Sequence, residues 1–279
     1  MSDGNALLAK ADKTLSGAKG GFSFFGNREQ KLEDAADLYT QAANAFRIDK
    51  NGEQAARCFE KAASIQSDSL SQPIDAATSL TEASKAYRKV SPPDAVRTLE
   101  KAVGIFTRQG NFRRAATYQQ TVGEIYEQDL GDFNKAIDAY STAAGWYDED
   151  NAQALANKWY LKAAELSAVN ASDYYKAIEL FEKVAKQAVQ NNLTRYSVKN
   201  YLLQAGLCHL ATNDIVGAKR AIESYTELDP SFGRERERQL LADLTEAVEL
   251  NNAETFQDKT YQFDRMSPLD SWKTSMLLR

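Results

Sequence analysis

DFNKAIDAYSTAA, residues 132–144, is the stretch on which the fold turns. Ala136 is followed four residues later by the bulky Tyr140 and three further on by the small Ala143. Apolar positions at intervals of four and three share one face of a helix. Asp132, four residues before the alanine, is a residue type that accepts a hydrogen bond from the free N–H groups opening a helix. Outward along the chain the pattern returns as Ala55/Phe59/Ala62, Ala95/Leu99/Ala102, Ala177/Phe181/Val184 and Ala218/Ile222/Tyr225. Asn51, Ser91, Asp173 and Asp214 stand in the capping place. Successive alanines are 40, 41, 41 and 41 residues apart. A period near 40 with two helices per unit is the signature of a helical repeat protein.

The upstream half of each unit carries its own apolar stripe. It reads Leu32, Ala35, Ala36, Tyr39, Ala42, Ala43, Phe46 in the first unit, and Ala115, Ala116, Val122, Ile125, Tyr126 in the third. Alanine at the crossings lets paired helices approach closely, and a single hairpin cannot bury both faces, so hairpins must stack. The period exceeds the roughly 34 residues of a tetratricopeptide unit, so the helices are longer than in that repeat. The expected fold is an all-α, TPR-like right-handed solenoid of antiparallel helical hairpins over residues 29–230. An N-terminal helix (about 5–16) and a phenylalanine-rich loop precede it within 1–28, and a C-terminal helical bundle follows over 231–279.

The chain has 279 residues, 43% hydrophobic and 26% charged, with a net charge of −5. That balance argues against nucleic acid as the main partner. No apolar run reaches the ~18 residues of a membrane span, and MSDGNALLAKADK lacks the basic-then-apolar order of a secretory signal. Two cysteines, Cys58 and Cys208, are expected to be reduced, and Cys58 occupies a small core position within its repeat. The Asn-x-Ser/Thr matches at Asn170 and Asn192 are then chance occurrences in a cytosolic chain.

Three stretches break the repeat. GAKGGFSFFGN, 17–27, sets Phe22, Phe24 and Phe25 among glycines. They either fold back to cap the open end of the core or form an exposed loop that dips into a membrane. At ~1.5–3 kcal/mol per fully buried phenylalanine, incomplete insertion gives only weak, reversible attachment that matters once another contact holds the protein at the bilayer. The second departure is a set of basic residues: Lys158 and Lys162 one turn apart, Lys199 opening the equivalent helix of the next unit, Arg234, Arg236 and Arg238 on the helix after it, and Arg113 and Arg114 earlier. Each alone reads as a solvated face; their recurrence on equivalent helices points to a basic strip facing an acidic partner. The third is SPLDSWKTSMLLR, 267–279, where Ser267 and Pro268 mark a helix start and Leu269, Trp272, Met276 and Leu277 follow at helical spacing. The chain stops at Arg279 without a capping glycine or polar turn, and a truncated chain is expected.

The glycine-rich aromatic loop, five long hairpins, GEIYEQDLGDFNKAI (123–137), YSVKNYLLQAGLCHL (196–210) and LDSWKTSMLLR together resemble the α-SNAP family of soluble NSF attachment proteins. The resemblance spans the whole chain. It implies a non-enzymatic adaptor without cofactors, cytoplasmic and peripherally associated with membranes. Several copies of such an adaptor wrap a SNARE four-helix complex and recruit the hexameric AAA ATPase NSF, which pulls the bundle apart. The resemblance makes Lys158, Lys162, Lys199 and Arg236 SNARE-facing. One basic position of the family falls at Thr117, so that contact is either absent or supplied by Arg113 or Arg114. Phe22, Phe24 and Phe25 correspond to the membrane-dipping loop, with aromatic spacing that is not identical. Asp214, Glu246 and Glu249, with Leu277 and Leu278 at the chain end, match the NSF-facing region. The family's short acidic tail, linked to ATPase stimulation, lies beyond Arg279, and the chain is expected to bind both partners yet stimulate NSF poorly.

An enzyme reading finds little support. The one histidine, His209, adjoins Cys208, and neighbouring helical residues point about 100° apart, so they cannot face each other as a nucleophile pair. Core packing is expected for both. The alternative binding module is a generic TPR-like scaffold or co-chaperone that clamps peptide C-termini in a basic pocket confined to about three repeats.

Overall fold

The computed structural model describes residues 4–19 and 25–279. Phe22 and Phe24 lie outside the described residues, as does the side chain of Phe25, whose backbone opens the second helix. Among the described residues all regular structure is helical. The helices are α1 Gly4–Lys19, α2 Phe25–Ile48, α3 Gly52–Asp68, α4 Pro73–Tyr87, α5 Pro92–Arg108, α6 Phe112–Ile125, α7 Phe133–Glu149, α8 Gln153–Val169, α9 Tyr174–Val189, α10 Val198–Ala211, α11 Ile215–Leu228, α12 Arg236–Glu249, α13 Ala253–Asp264 and α14 Ser271–Leu277. None is long and apolar enough to cross a membrane.

The five repeat alanines are all at most 2% exposed, and the residues four and seven positions after each are buried as well. The caps hold in the same order: Asn51 accepts from Gln54 N–H, Asp173 from Lys176 N–H and Asp214 from Gly217 N–H. Ser91 differs. Proline fills the first two positions of α5 and leaves no N–H there, and the Ser91 hydroxyl donates instead to Asp94 Oδ2 at 2.6 Å. Turns are closed by residues in the left-handed region, among them Lys50, Ser71, Asn151, Ser172, Asn213 and Asn251.

The chain forms two compact units. The first comprises residues 1–132 and 145–152, and so takes in α1–α6 and the end of α7. Consecutive helices pack as antiparallel neighbours over a core that includes Tyr39, Ala62, Ala77, Leu80, Ala102 and Phe106. Tyrosine–carboxylate contacts tie its layers. Tyr39 donates to Asp12, which also accepts from Lys61 at 2.9 Å; Tyr87 donates to Glu60 at 2.9 Å, and Arg97 donates to the same carboxylate at 2.8 Å.

The second unit comprises residues 133–144 and 153–279. Tyr140 stacks on Trp159 of α8 with centroids 5.0 Å apart. Gly206 of α10 lets α12 come close: a Cβ there would lie 2.4 Å from Leu241 Cδ1. The short α14 packs on α8 and α10. Trp272 Nε1 donates to the Glu165 carbonyl at 3.1 Å, and the Trp272 ring meets Phe181 edge-on at 5.4 Å.

Besides the Ser91 cap, two further sequence expectations are corrected. The last helix begins at Ser271, not at Ser267–Pro268, because Asp270 caps it by accepting from Lys273 N–H while Asp264 takes the Leu269 N–H. Arg234 ends a short 3-10 turn, Phe232–Arg234, instead of sharing α12 with Arg236 and Arg238.

Candidate functional site

In the second unit the sequence-nominated cations lie on three helices, Lys158 and Lys162 in the middle of α8 and Lys199 and Arg236 in the first turns of α10 and α12. Lys158 is exposed on α8 with its Nζ 4.7 Å from the Trp159 ring centroid, where the ring's negative face attracts it. Lys162, one turn later, is half-buried. It acts on Glu165, whose carboxyl pKa is raised by burial against the opposing pull of the Lys162 charge. Lys199, in the first turn of α10, lies 3.1 Å from Glu235 and 3.5 Å from Glu237. The hydrogen bond to Glu235 leads in raising its ammonium pKa. Arg236 is exposed at the first position of α12, on the rim of a 140 Å³ cavity that includes Phe263 and Met266.

In the first unit Arg113 and Arg114 occupy the first turn of α6, both exposed. Arg113 pairs loosely with Asp150 at 3.6 Å, and the Arg114 guanidinium lies 5.8 Å from the Phe106 ring centroid. Thr117 donates to the Arg113 carbonyl and sits 3.0 Å from the Tyr147 hydroxyl.

These placements share a physical oddity. The first turn of a helix presents unpaired N–H groups and a partial positive charge, which disfavours a cation by ~0.3–1 kcal/mol. Arg113 and Arg114 on α6, Lys199 on α10 and Arg236 on α12 all stand there, and the first turns of α6 and α10 hold no acidic residue to offset them. Helix stability does not call for the three arginines, whereas Lys199 is held by the carboxylates of Glu235 and Glu237.

The sequence reading missed an apolar element beside Lys199. In the connection from α9 to α10, Leu193 is 83% exposed and Tyr196 78% exposed. Arg195, between them, donates to Asp229 at 3.2 Å. Burial works to raise the Asp229 carboxyl pKa, but the Ser231 hydroxyl and N–H together with Arg195 outweigh it and hold the pKa low. The break in helical periodicity at 190–197 was the available signal.

The acidic candidates lie on α11 and α12. Asp214 is exposed and spends one oxygen on its cap; a Cβ at Gly217 would lie 2.4 Å from the other. Glu246 is exposed, and Glu249 takes Lys219 at 2.6 Å. Leu277 and Leu278 line an open, mostly apolar groove of 730 Å³ with Val248, Phe256 and Tyr261. Cys58 and Cys208 are buried, and burial pushes the Cys208 thiol pKa up to about 12. His209 departs from expectation: it is half-buried, with Nε2 3.6 Å from Glu182 and its ring beside Tyr225, rather than a core residue.

The family model for soluble NSF attachment protein, SNAP, matches residues 2–279. The probable vesicular-fusion protein sec17 homolog of Neurospora crassa is 52% identical over 277 residues, covering 99% of this chain and 94% of that protein. The sec17 homolog of Schizosaccharomyces pombe is 47% identical over 279 residues, covering 100% of this chain and 95% of the homolog. The human alpha-soluble NSF attachment protein is 37% identical over 274 residues, with coverages of 98% and 92%.

Proposed function

Since the chain belongs to the soluble NSF attachment protein family, we propose that it is a non-enzymatic adaptor that binds an assembled SNARE four-helix bundle and recruits an NSF-type ATPase to take it apart. The observation that carries this reading is the exposed arginines at helix starts, Arg113 and Arg114 on α6 and Arg236 on α12, where the helix dipole disfavours them. Lys158, Lys162, Lys199 and Arg236, with Arg113 and Arg114, attract the acidic surface of the bundle, and Leu193 and Tyr196 add an apolar contact beside Lys199. Asp214, Glu246 and Glu249, with Leu277 and Leu278, face the ATPase. Phe22, Phe24 and Phe25 touch the membrane, where the adaptor is peripherally held from the cytoplasmic side. Single contacts of this kind are weak, so several copies on one bundle act by avidity.

The test compares assembled bundle with separated helices, in a salt series, for the wild type and Lys158→Glu/Lys162→Glu. Exposed pairs are worth ~0.2–1 kcal/mol each. Losing two and adding two repulsions of similar size costs ~1–4 kcal/mol, a loss of about 5- to 1,000-fold at low salt. Leu193→Ala/Tyr196→Ala weakens binding with little salt dependence, because that contact is apolar. Equal binding by the charge-reversed variant removes the basic face, and equal binding to separated helices removes the adaptor reading.

A further inference from the structure

Lys199 and Arg195 are both held by carboxylates of residues 229–237, a stretch that runs from the connection after α11 into the first turn of α12 and also carries Arg234 and Arg236 on either side of Glu235. The carboxylates of that stretch are not equivalent. Asp229 and Glu237 are buried, and Glu237 Oε2 has no hydrogen-bond partner. A buried carboxylate calls for a cation beside it, and Lys199, 3.5 Å away, is the counter-ion of Glu237. Glu235 stands apart from that requirement. It is half-buried, sits at the N-cap of α12 without making a side-chain cap bond, and directs its carboxylate to Lys199 at 3.1 Å.

We propose that Glu235 is an intramolecular competitor for Lys199, a specificity-determining residue that an acidic helical partner must displace before it can engage that ammonium. The idea rests on the adaptor reading above for the identity of the partner. Exchanging Glu235 for a single partner carboxylate replaces one ion pair with another and gains almost nothing. A dense acidic surface that brings several carboxylates to the same place outweighs Glu235. The residue therefore sets a common threshold for acidic ligands of Lys199, one that an isolated carboxylate does not clear and the crowded acidic face of an assembled bundle does.

Glu235→Gln keeps the side chain's size and removes its charge. Its affinity for an assembled SNARE bundle should rise about two- to fivefold at low salt, the range of an exposed ion pair, and the gain should fade as salt is added. Poly-glutamate serves as a second probe that needs no bundle, and its affinity should rise by a similar factor. In a Lys199→Gln/Glu237→Gln background, which removes the buried charge together with its counter-ion, Glu235→Gln should have no effect on either probe. Unchanged affinity for poly-glutamate, or a gain that persists in that background, overturns the competitor. A gain for poly-glutamate from a protein that does not bind the bundle leaves the competitor standing and overturns the adaptor reading instead.

Discussion

Replacing Phe181 by alanine removes a ring that is wholly buried in the fourth repeat and that meets the edge of Trp272 at 5.4 Å. Truncation of a buried phenylalanine costs ~3–5 kcal/mol. Of that, ~0.5–1.5 kcal/mol belongs to the edge-on aromatic pair. Against a typical total of ~5–15 kcal/mol, the loss is about a fifth or more of what holds a domain folded. It should fall on the second unit, where α14 is pinned by the Trp272 ring and by its N–H to the Glu165 carbonyl. The assay is urea denaturation followed by circular dichroism for wild type, Phe181→Ala, Trp272→Ala and the double variant, with hydrogen exchange separating the two units, since two units need not melt as one. The double-variant cycle should return a coupling of ~0.5–1.5 kcal/mol. A cost for Phe181→Ala under about 1 kcal/mol, or a coupling of zero, would refute the placement of the α14 contact on the repeat core.

Gly206→Ala should destabilise by up to ~2 kcal/mol, because overpacking against the buried Leu241 costs ~1–3 kcal/mol while alanine returns ~1 kcal/mol of helix propensity. Thermal melts should show the loss, and Leu241→Ala in the same chain should be less damaging than the sum of the two; simple additivity would count against the close crossing. Burial, aided by the hydrogen bond to Glu60, pushes the Tyr87 hydroxyl pKa up to about 12, as burial alone does for Cys208. Both groups bind their protons more tightly when folded, so the stability they give is complete below about pH 8.5–10. It is lost as pH climbs toward 12. Unfolding free energies in an alkaline series should fall over that window, and Cys208 should resist alkylation at neutral pH until the chain is denatured.

The repeat was legible because buried alanine, bulky partner and cap recur together, and a helix that must bury one face between neighbours leaves few other ways to write the sequence. Asn51, Asp173 and Asp214 were readable as caps for the same reason. Ser267–Pro268 misled because that pair often opens a helix, whereas a contact to Asp264 holds the following residue outside α14. The basic residues were visible, but their engagements were not: Lys199 meets a carboxylate 36 positions away, a pairing that depends on how α10 packs on α12. The exposure of Leu193 and Tyr196 was hidden for the converse reason, since composition alone does not distinguish a leucine facing solvent from one in the core.

The buried alanines also act as a gauge. Lys158 on α8 and Lys199 on α10 are separated by α9, and each of these helices packs directly on α9. The spacing of the two helices is therefore set through α9, whose repeat alanine, Ala177, is wholly buried. A larger side chain there would push the hairpins apart and spread the cations on the far side, as a shim under a hinge moves the edge of a door. Binding precision in such a protein is inherited from its least conspicuous residues, and substitutions that alter recognition need not lie on the surface that recognises.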